Sequence, residues 1–311
     1  MIKRAVAVGI NDYSALDPTG SSNLTSCGAD ADSMMDLLIS AFGFDPSESV
    51  KLTDGSADSE TIQAAVLDML QNSEPEDVAC FYYSGHGSRI AATNGKGDSD
   101  KFFEAIIPAS GAVITDQDLF RIADFLEPSV VNFTVILDSC FSGGMDQETD
   151  GSFKAKSPLL SPEFLQQMLD TLRTLIPCGI LIPEDSDVCD GNALDVSVNG
   201  GVCSVEEDPD KIFIDLAKTN LIAGCKFDEL SWEIGGHGLM TQAFVNIVNA
   251  SDFQITNSDL LDQLRRSVAN DFNTFIAPSL SAGLVQNQTP QLRGQRSRMN
   301  DIFLRGFIQS E

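Results

Sequence analysis

Short apolar runs alternate with segments of helical periodicity along the first part of this chain, and this alternation constrains its fold more than any other feature. An apolar run spans 3–10, and Met34, Leu37, Leu38 and Phe42 then recur at helical spacing within about 29–42. A short strand follows near Val50-Lys51-Leu52, then a helix at about 59–71 carrying Ile62, Val66, Met69 and Leu70. The run Val78-Ala79-Cys80-Phe81-Tyr82-Tyr83 reads as a buried strand, and Ser88 to Lys101 as a polar loop. Beyond it come an extended piece, Glu104-Ala105-Ile106-Ile107-Pro108, a helix at about 116–126, and the strand Val130 to Leu137. Such order predicts an α/β protein, a mostly parallel central sheet with helices on both faces in three layers. In sheets of this kind ligands sit beyond the carboxyl ends of the strands.

From Gly143 to about Lys211 the pattern weakens, apart from a helical pattern at 161–174, and Asp, Gly, Ser and Pro accumulate in the manner of a linker or insertion. Regular order resumes with Thr219 to Cys225, helices at about 239–249 and 257–272, and an apolar end at Ile302-Phe303-Leu304. No internal repeat is visible. The 311 residues carry 19 Lys+Arg against 46 Asp+Glu, a net charge of −27, which argues against nucleic acid or an anionic membrane as partner. No apolar run reaches the roughly 18 residues of a membrane span, and the N-terminal run is too short for a signal peptide, so the expected location is cytoplasmic. The seven cysteines form no Cys-x-x-Cys pair and indicate neither a disulfide framework nor a zinc site.

Chemistry concentrates where two strands end. One runs into Ser84-Gly85-His86-Gly87-Ser88, the other into Asp138-Ser139-Cys140-Phe141-Ser142-Gly143-Gly144. A cysteine attacks a carbonyl as thiolate, so it needs a base within reach and N–H donors for the oxyanion. Cys140 is the candidate nucleophile, His86 the candidate base, and the N–H groups of Gly85 and Cys140 the candidate oxyanion donors. The chain's two histidines both lie in Gly-His-Gly. His86 has a long strand behind it and a serine two residues before it, whereas His237 opens a helix, where a Gly-rich entry needs no catalysis.

Tyr83-Ser84-Gly85-His86-Gly87 together with Asp138-Ser139-Cys140-Phe141-Ser142-Gly143 resembles the caspase-like cysteine peptidases, in their metacaspase and prokaryotic orthocaspase branch. Arg4 to Tyr13, Leu24 to Ala31, Glu104 to Pro108 and Gln288 to Leu292 fit the same family. The likeness is good over 1–145, moderate over 215–250 and loose over 285–307. It implies a large-subunit-like region at 1–145, an acidic linker at 146–212, and a small-subunit-like region at 213–311 completing the same sheet. It also implies cleavage after Arg or Lys, with Cys27, Asp30, Ser84 and Asp138 as specificity pocket. Two carboxylates in a cleft suit a guanidinium or ammonium. The plainer reading of Asp30 is a residue favoured by a helix N-terminus, and of Asp138 a solvated strand-end carboxylate.

Many metacaspases bind calcium, for which Asp98, Asp100, Asp116, Asp118 and Asp146 are the candidates here. Phe103 and Gln117 interrupt that acidic set, and hard cations need several converging oxygens, so no cofactor and no calcium requirement is expected. Lys154, Lys156, Arg173 and Lys211 are candidate self-cleavage positions, each with the alternative of a surface charge. The resulting expectation is a cysteine endopeptidase acting on proteins or peptides with exposed Arg or Lys, and a monomer. A catalytically silent caspase-like scaffold stands as the alternative. A small acyl transferase fits less well because it leaves the paired aspartates without a role.

Overall fold

A computed structural model describes residues 1–91, 102–115, 118, 119, 122, 132–140, 153–157, 219–226, 229–280, 287–294 and 298–305. The central sheet takes β1 (Lys3–Gly9), β2 (Val50–Thr53), β3 (Val78–Ser84), β7 (Asn132–Asp138), β9 (Thr219–Ala223) and β12 (Gln291–Arg293), in the spatial order β12-β9-β7-β3-β1-β2. Neighbours are parallel except β12, which runs antiparallel to β9. Every residue of β3 and β7 is buried, which is why both read as unbroken apolar runs rather than alternating ones.

Alternation along the strands divides the interior into two layers. Val6, Val8, Phe81, Tyr83, Val135 and Leu137 pack with Ile62 and Val66 of helix α2 (Ser59–Gln71). Ala5, Ala7, Tyr82 and Ile136 point the other way, against Met34 and Leu38 of α1 (Cys27–Phe42), Phe244 of α3 (Leu239–Ala250) and Leu264 of α4 (Asn257–Asp271). This is the expected three-layer sandwich. Local chemistry sets the helix ends: Asp58 caps α2 by accepting from Thr61 N–H at 2.9 Å, and Gly43 closes α1 at φ 70°. Large-to-Ala changes at positions such as Leu38, which is fully buried, typically cost about 2–5 kcal/mol.

The register places Gly9 opposite Ser84 and Ser84 opposite Asp138, so three strand ends meet at the carboxyl edge of the sheet. Two smaller sheets border that edge. One contains β4 (Gly87–Ala91), β5 (Phe102–Ile106) and β6 (Ile114–Thr115), all antiparallel. The polar loop expected from Ser88 therefore begins as a strand. Its sequence holds no continuous apolar run, and pairing with β5 rather than local propensity makes it extended. The other sheet contains β8 (Phe153–Ala155), β10 (Trp232–Ile234) and β11 (His237–Gly238), in the order β11-β10-β8. β8 lies inside the stretch read as linker, so part of that stretch is structured. Of the helix expected at 116–126, residues 118, 119 and 122 are described and helical. The helix expected at 161–174 lies outside the described residues. Among the described residues no helix is long and apolar enough to cross a membrane.

Candidate active site

Cys140 follows β7 by two residues and is fully buried. Its Sγ accepts from Ser231 N–H at 2.9 Å and donates to the Ser231 carbonyl at 3.2 Å. His86 sits in the turn between β3 and β4, held by three backbone bonds. Its N–H donates to Tyr13 Oη at 2.8 Å, and its carbonyl accepts from Tyr83 Oη at 2.7 Å and from Ile107 N–H at 3.0 Å. The imidazole packs on Tyr13 with ring centroids 4.4 Å apart. Its Nε2 lies 2.5 Å from the Ser22 carbonyl. A carbonyl can only accept, so Nε2 carries the proton and Nδ1 is the basic nitrogen. Nδ1 is buried and has no hydrogen-bond partner among the described residues. Burial outweighs the carbonyls of Ser22 and Lys156 and depresses the imidazole pKa to about 4, with the Lys154 charge acting in the same direction.

The two glycines beside His86 direct their N–H groups differently. Gly85 N–H is directed at the Asp138 carbonyl, 3.5 Å away, as β3 and β7 end side by side. Gly87 N–H donates instead to the Lys156 carbonyl at 3.3 Å. A side chain at Gly87 would place its Cβ 2.2 Å from the Cys140 carbonyl oxygen, so only glycine lets these two backbones meet.

Beside this centre the structure brings Asp30, Ser84 and Asp138 around the side chain of Lys156. All four are fully buried. Lys156 Nζ lies 3.1 Å from Asp30 Oδ2, 3.0 Å from Asp138 Oδ2 and 2.9 Å from Ser84 Oγ. Ser84 Oγ donates to Asp30 Oδ2 at 2.9 Å. Cys27 opens α1 close by, within electrostatic reach of Lys156, and burial pushes its thiol pKa up. Charges this deep are tolerated only when paired and hydrogen-bonded, and here both carboxylates are. Asp138 accepts from Ser231 Oγ at 2.6 Å, Thr241 Oγ1 at 2.6 Å and Thr241 N–H at 3.2 Å, the last at the start of α3. Gly238 N–H is shared between the Asp30 oxygens at 2.9 and 3.0 Å.

Burial alone would raise both carboxyls. The Lys156 ammonium and the hydroxyls of Ser231 and Thr241 reverse this for Asp138 and hold it below the usual range. Asp30 stays raised, because burial and the neighbouring Asp138 charge exceed the pull of Lys156. Lys156 itself is held well above its ordinary value, its desolvation outweighed by the two aspartates.

Lys156 reaches the pocket from a strap. β8 runs antiparallel to β10, with Phe153 opposite Ile234 and Ala155 opposite Trp232, and Lys156 N–H donates to the Ser231 carbonyl at 2.9 Å. Phe153 packs edge-on against Trp232 at 5.6 Å. Lys154 extends to the carbonyls of Ser21, at 2.7 Å, and Asn23.

Several residues that build the pocket carried no signal of their own in sequence. Gly238 is the sharpest case: a Cβ there would lie 2.2 Å from Asp138 Oδ2 and 2.3 Å from Lys156 Nζ. Ser231 and Thr241 are neutral residues more than 90 positions from Asp138. Gln288, within a segment that carried the family likeness, braces Ser231 Oγ at 3.0 Å. His237 stands at the pocket's Asp30 side, its Nδ1 3.4 Å from Asp30 Oδ1. Asp98, Asp100, Asp116, Asp146, Arg173 and Lys211 lie outside the described residues. Asp118 Oδ2 accepts from Thr115 N–H at 2.8 Å and Oγ1 at 2.6 Å. Among the described residues no group of three or more His, Cys, Asp or Glu could hold a metal ion.

Residues 2–300 match the family model described as the caspase domain. Metacaspase-4 of Arabidopsis thaliana is 34% identical over 153 residues, which cover 48% of this chain and 35% of that protein. Metacaspase-9 of the same plant is 26% identical over 299 residues, covering 85% of this chain and 90% of that protein. Metacaspase-1 of Schizosaccharomyces pombe is 24% identical over 301 residues, covering 92% of this chain and 68% of that protein. The chain thus spans about a third of the length of metacaspase-4, and most of metacaspase-9. A solved structure of a Geobacter sulfurreducens protein superimposes with a TM-score of 0.65 at 15% identity, covering 99% of this chain and 100% of that one. Caspase-1 of Spodoptera frugiperda does so with a TM-score of 0.52 at 13% identity, covering 94% and 86%. With its central sheet, its paired strand ends and its match from residue 2 to residue 300, the chain belongs to the caspase domain family.

Proposed function

We propose that this protein is a cysteine endopeptidase that hydrolyses peptide bonds after Lys or Arg, and that it cuts its own chain after Lys156. The observation that carries this reading is the lysine seated between Asp30 and Asp138 while its carbonyl faces Gly87 N–H beside Cys140. A strand laid along β10 with its basic side chain in a carboxylate pocket is how a substrate would present itself.

The chemistry follows from the groups present. The thiol leaves Ser231 and gives its proton to His86 Nδ1, and Sγ bonds to the Lys156 carbonyl carbon. The N–H groups of Gly87 and Cys140 hold the oxyanion. His86 then protonates the Ser157 nitrogen, the C–N bond breaks, and a thioester remains. Water attacks the thioester as His86 takes its proton, releasing the carboxylate and restoring the thiol. No cofactor enters, and no calcium is required on this reading. Proteins and peptides with exposed Lys or Arg are the partners, met by a monomer in the cytoplasm.

The silent-scaffold alternative rests on the same thiol, which here is tied to Ser231 and not to the imidazole. One experiment separates the two. Intact mass is measured for wild type and Cys140→Ala after incubation, alongside turnover of fluorogenic peptides ending in Arg, Lys or Asp, with calcium and with chelator. A cut after Lys156 in wild type only, and turnover of Lys or Arg peptides, support the peptidase. Identical masses and no turnover of any peptide support the scaffold.

A further inference from the structure

The strap places two ammonium groups, and only that of Lys156 enters the carboxylate pocket. Lys154, two residues earlier, is half-buried and sends its Nζ to the loop before α1, where it donates to the carbonyl of Ser21 at 2.7 Å and to that of Asn23. The carboxylates of Glu233 and Asp17 add favourable charge around it. Neither is a loose surface acid. Glu233 accepts from Thr25 N–H at 3.0 Å and Ser26 N–H at 3.1 Å, and Asp17 accepts from Ser22 N–H at 2.8 Å.

The carbonyl between the two that hold Lys154 belongs to Ser22, and it is the one that accepts from His86 Nε2 at 2.5 Å. Three consecutive peptide units therefore bind a cation on one side and fix the orientation of the imidazole on the other. Ser22 is itself held on two sides, its carbonyl by the His86 imidazole and its N–H by Asp17, and the carbonyls flanking it hold Lys154, so cation and imidazole are bound by one short stretch of backbone.

We propose that the Ser21 and Asn23 carbonyls, with Glu233 and Asp17 behind them, form a cation subsite for the third residue before the scissile bond, and that filling it positions His86. The inference rests on reading Lys156 as the residue before that bond. The preferred substrates are then polypeptides with basic residues at alternate positions, Lys-x-Lys or a variant with Arg. Carbonyl oxygens at a partly desolvated site favour an ammonium over a neutral chain of equal length.

The test compares two peptide amides with the full-length enzyme, Phe-Lys-Ala-Lys and the same peptide with norleucine replacing the first lysine. The expected result is a loss of about tenfold or more in kcat/KM for norleucine, with part of the loss in kcat. Equal kcat/KM would overturn the subsite, and a change confined to KM would overturn the positioning of His86. A second arm needs no turnover. In the Cys140→Ala chain, Lys154→Met should shift the His86 ring resonances and raise its pKa from about 4, because a neighbouring positive charge is removed. Unchanged His86 resonances would sink the coupling. Hydrolysis of neither peptide, with the His86 shift present, would overturn the peptidase reading and leave the subsite standing.

Discussion

The Cys140 thiol and the His86 imidazole are each hydrogen-bonded to a different backbone carbonyl, Sγ to Ser231 and Nε2 to Ser22. Thiol and imidazole are each engaged elsewhere, and the strap that fills the pocket is bonded to Ser231 as well. The resting chain is thus occupied by its own Lys156, and the following outcomes depend on that occupancy.

Lys156→Met removes the cation that two buried carboxylates share. Losing one partner of such an arrangement costs about 3–5 kcal/mol, which falls on the strap-bound conformation. Because Cys140 is reached by local opening, its alkylation by iodoacetamide should accelerate roughly a hundredfold or more over wild type. An unchanged alkylation rate would mean that the strap does not guard the thiol.

Asp138→Ala should abolish turnover of Lys and Arg peptides while leaving Cys140 able to react with iodoacetamide. The carboxylate touches Lys156, Ser231 and Thr241 but not the sulfur, so specificity and nucleophilicity separate in this variant. Peptide kinetics beside mass-spectrometric thiol labelling reads both.

Gly238→Ala tests close approach. Its Cβ would fall 2.2 Å from Asp138 Oδ2, within the pocket, so turnover of basic peptides should drop at least about a hundredfold, the scale of misplaced binding groups. Gly55→Ala is the control, since nothing lies within 4 Å of a Cβ there. Equal activity of the two variants would remove Gly238 from the pocket wall.

With only two histidines, titration by NMR is direct in Cys140→Ala. His86 should stay neutral down to about pH 4, its depression arising first from burial. The sign for stability follows: between the ordinary 6.5 and about 4 the unfolded chain takes a proton that the folded chain refuses. Stability contributed by neutral His86 is therefore whole above about pH 6.5 and falls, by up to roughly 3 kcal/mol, as pH drops toward 4.

Much of this was legible in sequence because β3 and β7 are buried on both faces and end on chemistry-bearing residues. Their apolar runs announce strands, and the parallel register then carries Ser84 and Asp138 side by side. What sequence could not supply was set by distant pairing. Phe153-Lys154-Ala155-Lys156 is too short for a period to declare a strand, and β10, some 80 residues onward, makes it one. Gly85 and Gly87 are indistinguishable as letters, and only the β3–β7 junction turns one N–H toward Asp138 and the other toward Lys156. Ser231 and Thr241 act through single hydroxyls, and Gly238 through its N–H and its lack of a side chain, none of which leaves a local pattern.

The pairing of β7 with β9, from Phe133 opposite Thr219 to Leu137 opposite Ala223, lies across any break at 156. A chain nicked there would remain one body, its halves laced through the middle of the sheet. Gel filtration would pass it as unchanged while a denaturing gel resolved two pieces, so such a break would free the groove without dismantling the molecule.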